Sequence, residues 1–153
     1  MKPVHRSFPL PALAAALATV VALAPALAPA GAHGGELRAT VTNVKPEQGK
    51  LMVALFDSAE AFAAGRRFAA QVVHPAAATA TVWFGNLPAG RYAVAVYQDL
   101  NRNEALDTNL FGVPGEPYGF SRDAVGRMGP PPFDAMAVAI GDSPAVTAVS
   151  LTP

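Results

Sequence analysis

The sequence contains no cysteine. A disulfide framework and thiolate chemistry are thereby excluded, and the fold must be held by packing and hydrogen bonds. A domain of about 120 residues buries enough surface to do without covalent staples. The absence also fits an oxidising compartment, where a stray thiol is a liability. Neither sign of charge is in excess, with 11 Lys and Arg against 11 Asp and Glu in 153 residues. Such a balance is no footprint for nucleic acid, which calls for a clustered basic face. Histidine is scarce, three in all, and His74 beside Pro75 has no serine or aspartate pattern around it. A nucleophile needs a base and an orienting group, and no such set is visible.

One long apolar run is present. Lys2 and Arg6 precede a stretch of Ala, Leu and Val from Leu10 to Ala28, which Pro25 and Pro29 interrupt near its end. A basic start, a short apolar middle and an A-x-A end are the parts of a secretory signal. Residues 1–32 are therefore expected to be a signal peptide, cut after Ala30 or after Ala32. Residues 33–153 are expected to form one exported domain, secreted or periplasmic, with no membrane span after processing. The leader holds two of the 11 basic residues and none of the 11 acidic ones, so 9 basic remain against 11 acidic, a net charge of −2. That is a poor match for an anionic membrane surface.

Beyond the leader the pattern has period two. Leu37, Ala39 and Val41 alternate with Arg38, Thr40 and Thr42, which predicts a half-buried strand. Lys45 to Gly49 reads as a turn and Leu51 to Phe56 as a second strand, the two forming a hairpin. Ser58 is placed to cap a short helix over Ala59–Ala64, with Gly65 ending it. Further strands are predicted at Gln71–Val73, Thr79–Phe84 and Arg91–Tyr97. A final pair, Ala135–Ile140 and Ala145–Leu151, flanks Gly141-Asp142. Trp83 reads as a core residue. Seven short strands with turns between them, and no βαβ alternation, predict an all-β antiparallel sandwich of Ig-like or prealbumin-like type.

Residues 99–133 break this rhythm. They carry no period, but they hold Gly112, Gly115, Gly119, Gly126 and Gly129, and five prolines ending in Pro130-Pro-Pro132. Long loops in compact domains are uncommon and are usually functional or disordered. Phe111, Tyr118, Phe120, Met128 and Phe133 argue for order, because disordered segments are poor in aromatics. The segment is expected to be an ordered lid over one end of the sandwich, its rings packed down.

Four motifs belong together, one before this segment and three within it: Asn86-Leu-Pro-x-Gly-x-Tyr92, Asp99-x-Asn-x-Asn-x-x-Leu-Asp107, Phe111-Gly-x-Pro114 and Tyr118-Gly-Phe-Ser121. With their surroundings they resemble a family of exported bacterial proteins known as domain-of-unknown-function family 2141. The resemblance runs from Leu37 to Leu151. It implies an exported β domain and no established activity. Leu87-Pro-Ala-Gly-Arg-Tyr-Ala-Val94 also resembles a corner of prealbumin-like and carboxypeptidase-regulatory-like sandwiches, which bears on fold alone.

Four constellations are candidate sites. Asp99, Asn101, Asn103 and Asp107 place side-chain oxygens at positions 1, 3, 5 and 9 of a calcium-type loop, with the Ala105 carbonyl at position 7. Glu104 stands where such loops need glycine, and Leu110 where they need a bidentate glutamate. A non-glycine residue at positive φ costs roughly 1 kcal/mol or more. The resembling family usually has glycine at the Glu104 position. The rival reading is a metal-free turn held by Asx side chains. A second candidate is copper at a new N-terminus, where cleavage after Ala30 puts His33 third in the chain. In a third, Asp99, Glu104, Asp107 and Glu116 pair as acid and base, as glycosidase carboxylates do. The fourth is a platform for sugar or peptide made by Phe111, Tyr118 and Phe120, with Arg122 and Arg127 nearby.

The expectation is a non-catalytic exported binding or interaction module, with residues 99–133 as its contact surface for a protein, peptide or glycan. Calcium is the cofactor expected at the loop, beside the copper candidate at His33. The alternative is a small exported hydrolase-like enzyme using the loop carboxylates.

Overall fold

The computed structural model describes residues 34–152. The expected signal peptide and His33 lie outside the described residues. Eight strands form: β1 (Gly35–Thr42), β2 (Lys50–Phe56), β3 (Ala69–Val73), β4 (Ala80–Leu87), β5 (Gly90–Asp99), β6 (Tyr118–Phe120), β7 (Val138–Ile140) and β8 (Ala145–Ser150). Two short helices accompany them, α1 (Ala59–Ala63) and α2 (Phe133–Met136). The fold is all-β, with strand order β4-β1-β8 in one sheet and β3-β2-β5-β6 in the other, β7 pairing with β5.

Alternation decides which side chains meet between the sheets. Leu37, Ala39 and Val41 of β1 and Val82, Phe84 and Leu87 of β4 turn inward. They meet Leu51, Val53 and Leu55 of β2 and Tyr92, Val94 and Val96 of β5. Burying each large aliphatic chain contributes about 1.5–3 kcal/mol. Trp83, expected in this core, instead projects outward and is half exposed, because Val82 and Phe84 on either side of it take the inward positions. The Arg38 guanidinium lies 5.6 Å from the centre of its ring, a cation–π contact.

Three expectations of connectivity are corrected. β1 and β2 do not form a hairpin: β1 pairs with β4 and β8, and β2 with β3 and β5. The turn between them crosses the sandwich, and the Val44 and Glu47 N–H groups donate to the carbonyls of Ala78 and Pro75. β7 and β8 do not pair either, since β7 lies against β5 in the other sheet. Residues 141–144 then carry the chain across, so β8 runs parallel to β1, from Leu37 beside Ala145 to Thr42 beside Ser150. One parallel pair therefore sits in an otherwise antiparallel sandwich.

Buried polar groups fasten the frame. Gln98 is fully buried, and its amide accepts from the Lys45 N–H and donates to the carbonyls of Lys45 and Gln48. It fixes the crossing turn onto β5. Gly49, at φ 56°, ends that turn where a Cβ would collide with the Asp99 carbonyl oxygen, a place for glycine alone. The Tyr92 hydroxyl donates to the Pro88 carbonyl four residues back at 3.0 Å, as in the tyrosine corner of sandwich folds.

The outer face of the second sheet is only partly covered. Ser58 caps α1 as expected, its hydroxyl accepting from the Ala61 N–H at 3.1 Å, and Gly65 follows the helix at φ 65°. Phe133 and Met136 of α2 pack with Phe56 and Ala93 in a second, smaller core. Ser121, also buried, ties that core to the sheet by accepting from the Val94 N–H and donating to the Met136 carbonyl. Among the described residues no helix is long and apolar enough to cross a membrane.

Candidate functional site

The Asp99 loop begins where β5 leaves the sheet. Asp99 is fully buried, and its two carboxylate oxygens accept the N–H groups of Asn103 and Glu104 at 3.1 and 3.0 Å. Asn101 and Asn103 each accept a backbone N–H two residues on, and both amide nitrogens donate to Asp107. The four side chains expected to share a calcium ion are thus brought together. Each of their oxygens is already engaged with a donor inside the loop. Glu104 does adopt the left-handed conformation, φ 64°, and Arg102 does too, φ 65°. The Glu104 carboxylate pairs with Lys50 at 2.9 Å, and the Asn103 amide accepts the Ala105 N–H at 2.9 Å. Among the described residues no three histidine or acidic side chains gather to hold a metal.

Glu116 completes the loop from across its mouth. Nearly buried, it accepts the Leu100 N–H at 2.8 Å on one oxygen and the Asp107 N–H at 3.3 Å on the other. The four carboxylates of the acid–base reading are therefore tied up in the loop itself or paired with Lys50.

The expected lid is only partly a lid. Residues 107–115 form a tight excursion, closed by the bridge between Thr108 and Pro114 and by Asn109, whose side chain accepts the N–H groups of Phe111 and Val113. A turn that tight cannot fold its tip back, and Leu110 and Phe111 stand in solvent, Phe111 90% exposed. Met128 is exposed as well. Arg122 does not join the rings: its backbone N–H donates to Thr147 and its guanidinium to the Ala137 carbonyl at 3.3 Å, behind α2. Arg127 lies in the exposed stretch that precedes Pro130. Tyr118 and Phe120, by contrast, form β6 and extend the second sheet by one strand.

That added strand completes an apolar groove on the sheet's outer face. Strand register lays two rows across it. In one row Val72, Met52, Tyr97 and Tyr118 are successive cross-strand partners; in the other they are Ala70, Ala54, Ala95 and Phe120. Three alanines side by side leave a low floor. Edge-to-face rings form a wall, with Phe62 of α1 5.2 Å from Phe56 and 6.2 Å from Phe120, and Phe120 5.9 Å from Tyr118. The cavity is about 360 Å³, within the range of roughly 300–1,000 Å³ typical of small-molecule sites. Leu106 reaches it from the Asp99 loop and Arg67 from the link between α1 and β3.

The polar groups of the groove are few. Burial is the largest influence on the Tyr97 hydroxyl and pushes its pKa above the usual value of 10.0. The Asp99 carboxylate adds to that rise, and the Arg67 charge opposes it. Gln71 points away, its amide donating to the Trp83 carbonyl at 2.6 Å and closing β3 onto the opposite sheet. Sequence reasoning named Tyr118 and Phe120 but missed the floor and Arg67. The available signal was parity: Ala54 and Ala95 alternate with core valines and leucines, so small residues mark one outward face on both central strands.

Comparison with known proteins agrees with the resemblance. The family described as "Uncharacterized protein conserved in bacteria (DUF2141)" matches residues 39–148, well over half of the chain. No curated protein matches the chain. No solved structure matches it either.

Proposed function

The chain belongs to the uncharacterised bacterial family DUF2141, and from that premise we propose that it is an exported, non-catalytic binding module. Its contact surface is the groove on the outer face of the second sheet. The observation that carries this reading is the row of Ala70, Ala54 and Ala95 beneath a wall of rings. A sheet face with no ligand to accommodate gains by filling such a depression with larger side chains, and exposed apolar surface of this kind marks interaction sites. The occupant is a small, largely apolar molecule. A glycan needs many hydrogen-bonding partners, and this lining offers Arg67 and two tyrosine hydroxyls.

A binding role is also supported by the state of the carboxylates. Asp99 and Glu116 are buried on backbone donors and Glu104 is paired with Lys50, which leaves little for general acid–base work. The test uses Nile red, a neutral apolar dye. The purified protein should bind it with a blue-shifted emission, and Ala70→Trp, which fills the floor from the exposed edge strand, should abolish that signal. Equal signal in both proteins would overturn the groove as the binding surface.

A further inference from the structure

The geometry points to a more specific occupant: an amphiphile with a carboxylate head held at Arg67 and an apolar body lying on the alanine floor. This inference rests on the groove being the binding surface. Of the side chains lining it, Arg67 alone is ionised at neutral pH. The ion pairs among the described residues are Lys50 with Glu104 and Arg91 with Asp134, so Arg67 has no carboxylate partner there. A guanidinium presents a planar fork of donors that matches a carboxylate. An alcohol has no charge to offer it, and an ammonium is repelled.

The rest of the lining sets the body of the ligand. Phe62, Phe120 and Tyr118 give ring edges and faces, and Ala54 and Ala95 let a chain lie close to the sheet. Leu106 brings the Asp99 loop to the groove's edge, but no lining side chain carries a negative charge, so the head goes to Arg67, the one cation there. The Tyr97 hydroxyl lines the same groove and, protonated like any phenol at neutral pH, is available as a donor.

Titration calorimetry with decanoate, decan-1-ol and decylamine tests this. Decanoate should bind on the order of tenfold tighter than the alcohol, the scale of one hydrogen bond to a charged group, and decylamine should bind weakest. Arg67→Gln should reduce decanoate to the level of decanol and leave decanol unchanged. Ala70→Trp should weaken both, with circular dichroism confirming the fold. If decanol or decylamine binds as well as decanoate, or if Arg67→Gln leaves the preference intact, the carboxylate assignment fails while the groove stands. If none of the three binds, or Ala70→Trp binds them as the parent does, the groove itself is wrong and the assignment falls with it.

Discussion

Ala54 and Ala95 face each other across the two central strands of the second sheet, and both turn away from the core. Their neighbours Val53, Leu55, Val94 and Val96 fill the space between the sheets. The same two strands thus build the core with one face and a shallow groove with the other. The main core and the groove are built by different side chains, while Phe56 serves both the groove wall and the second, smaller core.

Glu116 is the strongest test of the loop that borders the groove. Its carboxylate serves the N–H groups of Leu100 and Asp107 from a nearly buried position. Glu116→Ala leaves those donors unpaired and should cost about 2 kcal/mol, lowering the thermal midpoint by roughly 5–10 °C. Glu116→Gln, which keeps an acceptor oxygen, should lose less. Thermal unfolding followed by circular dichroism reads both.

Phe111 and Leu110 stand clear of the fold. Phe111→Ser should therefore leave the unfolding free energy within about 0.5 kcal/mol of the parent, as surface substitutions do. A loss of 2 kcal/mol or more would mean that the tip packs as the lid reading expected.

Alkaline pH should weaken the fold. The folded chain holds the Tyr97 proton more tightly than the unfolded chain does, because burial and then Asp99 raise its pKa above 10.0. Tyr92 is raised too, by burial first and then Asp57. Their contribution is fully present below pH 10 and is lost as pH rises through the higher folded values. Urea midpoints measured between pH 8 and 11.5 should fall above pH 10, and Tyr97→Phe should flatten that fall.

Calcium should leave the protein unchanged. The oxygens of Asp99, Asn101, Asn103 and Asp107 each already accept a hydrogen bond inside the loop. The account predicts no shift of the thermal midpoint at millimolar calcium. A midpoint that climbs with calcium concentration would show an ion bound to the folded state by mass action.

Much of the fold was legible in the sequence, and the unread parts share a cause. Period-two alternation located seven of the eight strands, with β6 lying in the segment read as a loop and the start of the Ala135–Ile140 strand proving to be α2, and Ser58 with Gly65 bounded α1. Trp83 shares its face with Thr79 and Thr81, so alternation already set it opposite Val82 and Phe84, and only the apolar character of its own ring argued for the core. Strand pairing depends on long-range partners. Gln98 holds Lys45 and Gln48 across about fifty residues, and no local signal announces that the turn between β1 and β2 changes sheets. In the site, Tyr118 and Phe120 were visible because aromatic residues in a glycine-rich loop are conspicuous. For Ala54 and Ala95 the only sequence signal was parity, which marks an outward face; that they line up with Ala70 in one row is set by register between strands.

The central claim is that ligand lies on that row. The most direct measurement is a two-dimensional amide NMR titration with decanoate, read residue by residue. The account predicts shifts concentrated at Met52, Ala54, Ala70, Ala95, Tyr97 and Phe120, saturating together. Shifts confined to Leu110–Val113 or to the outer face around Trp83, with the alanine row unmoved, would contradict it.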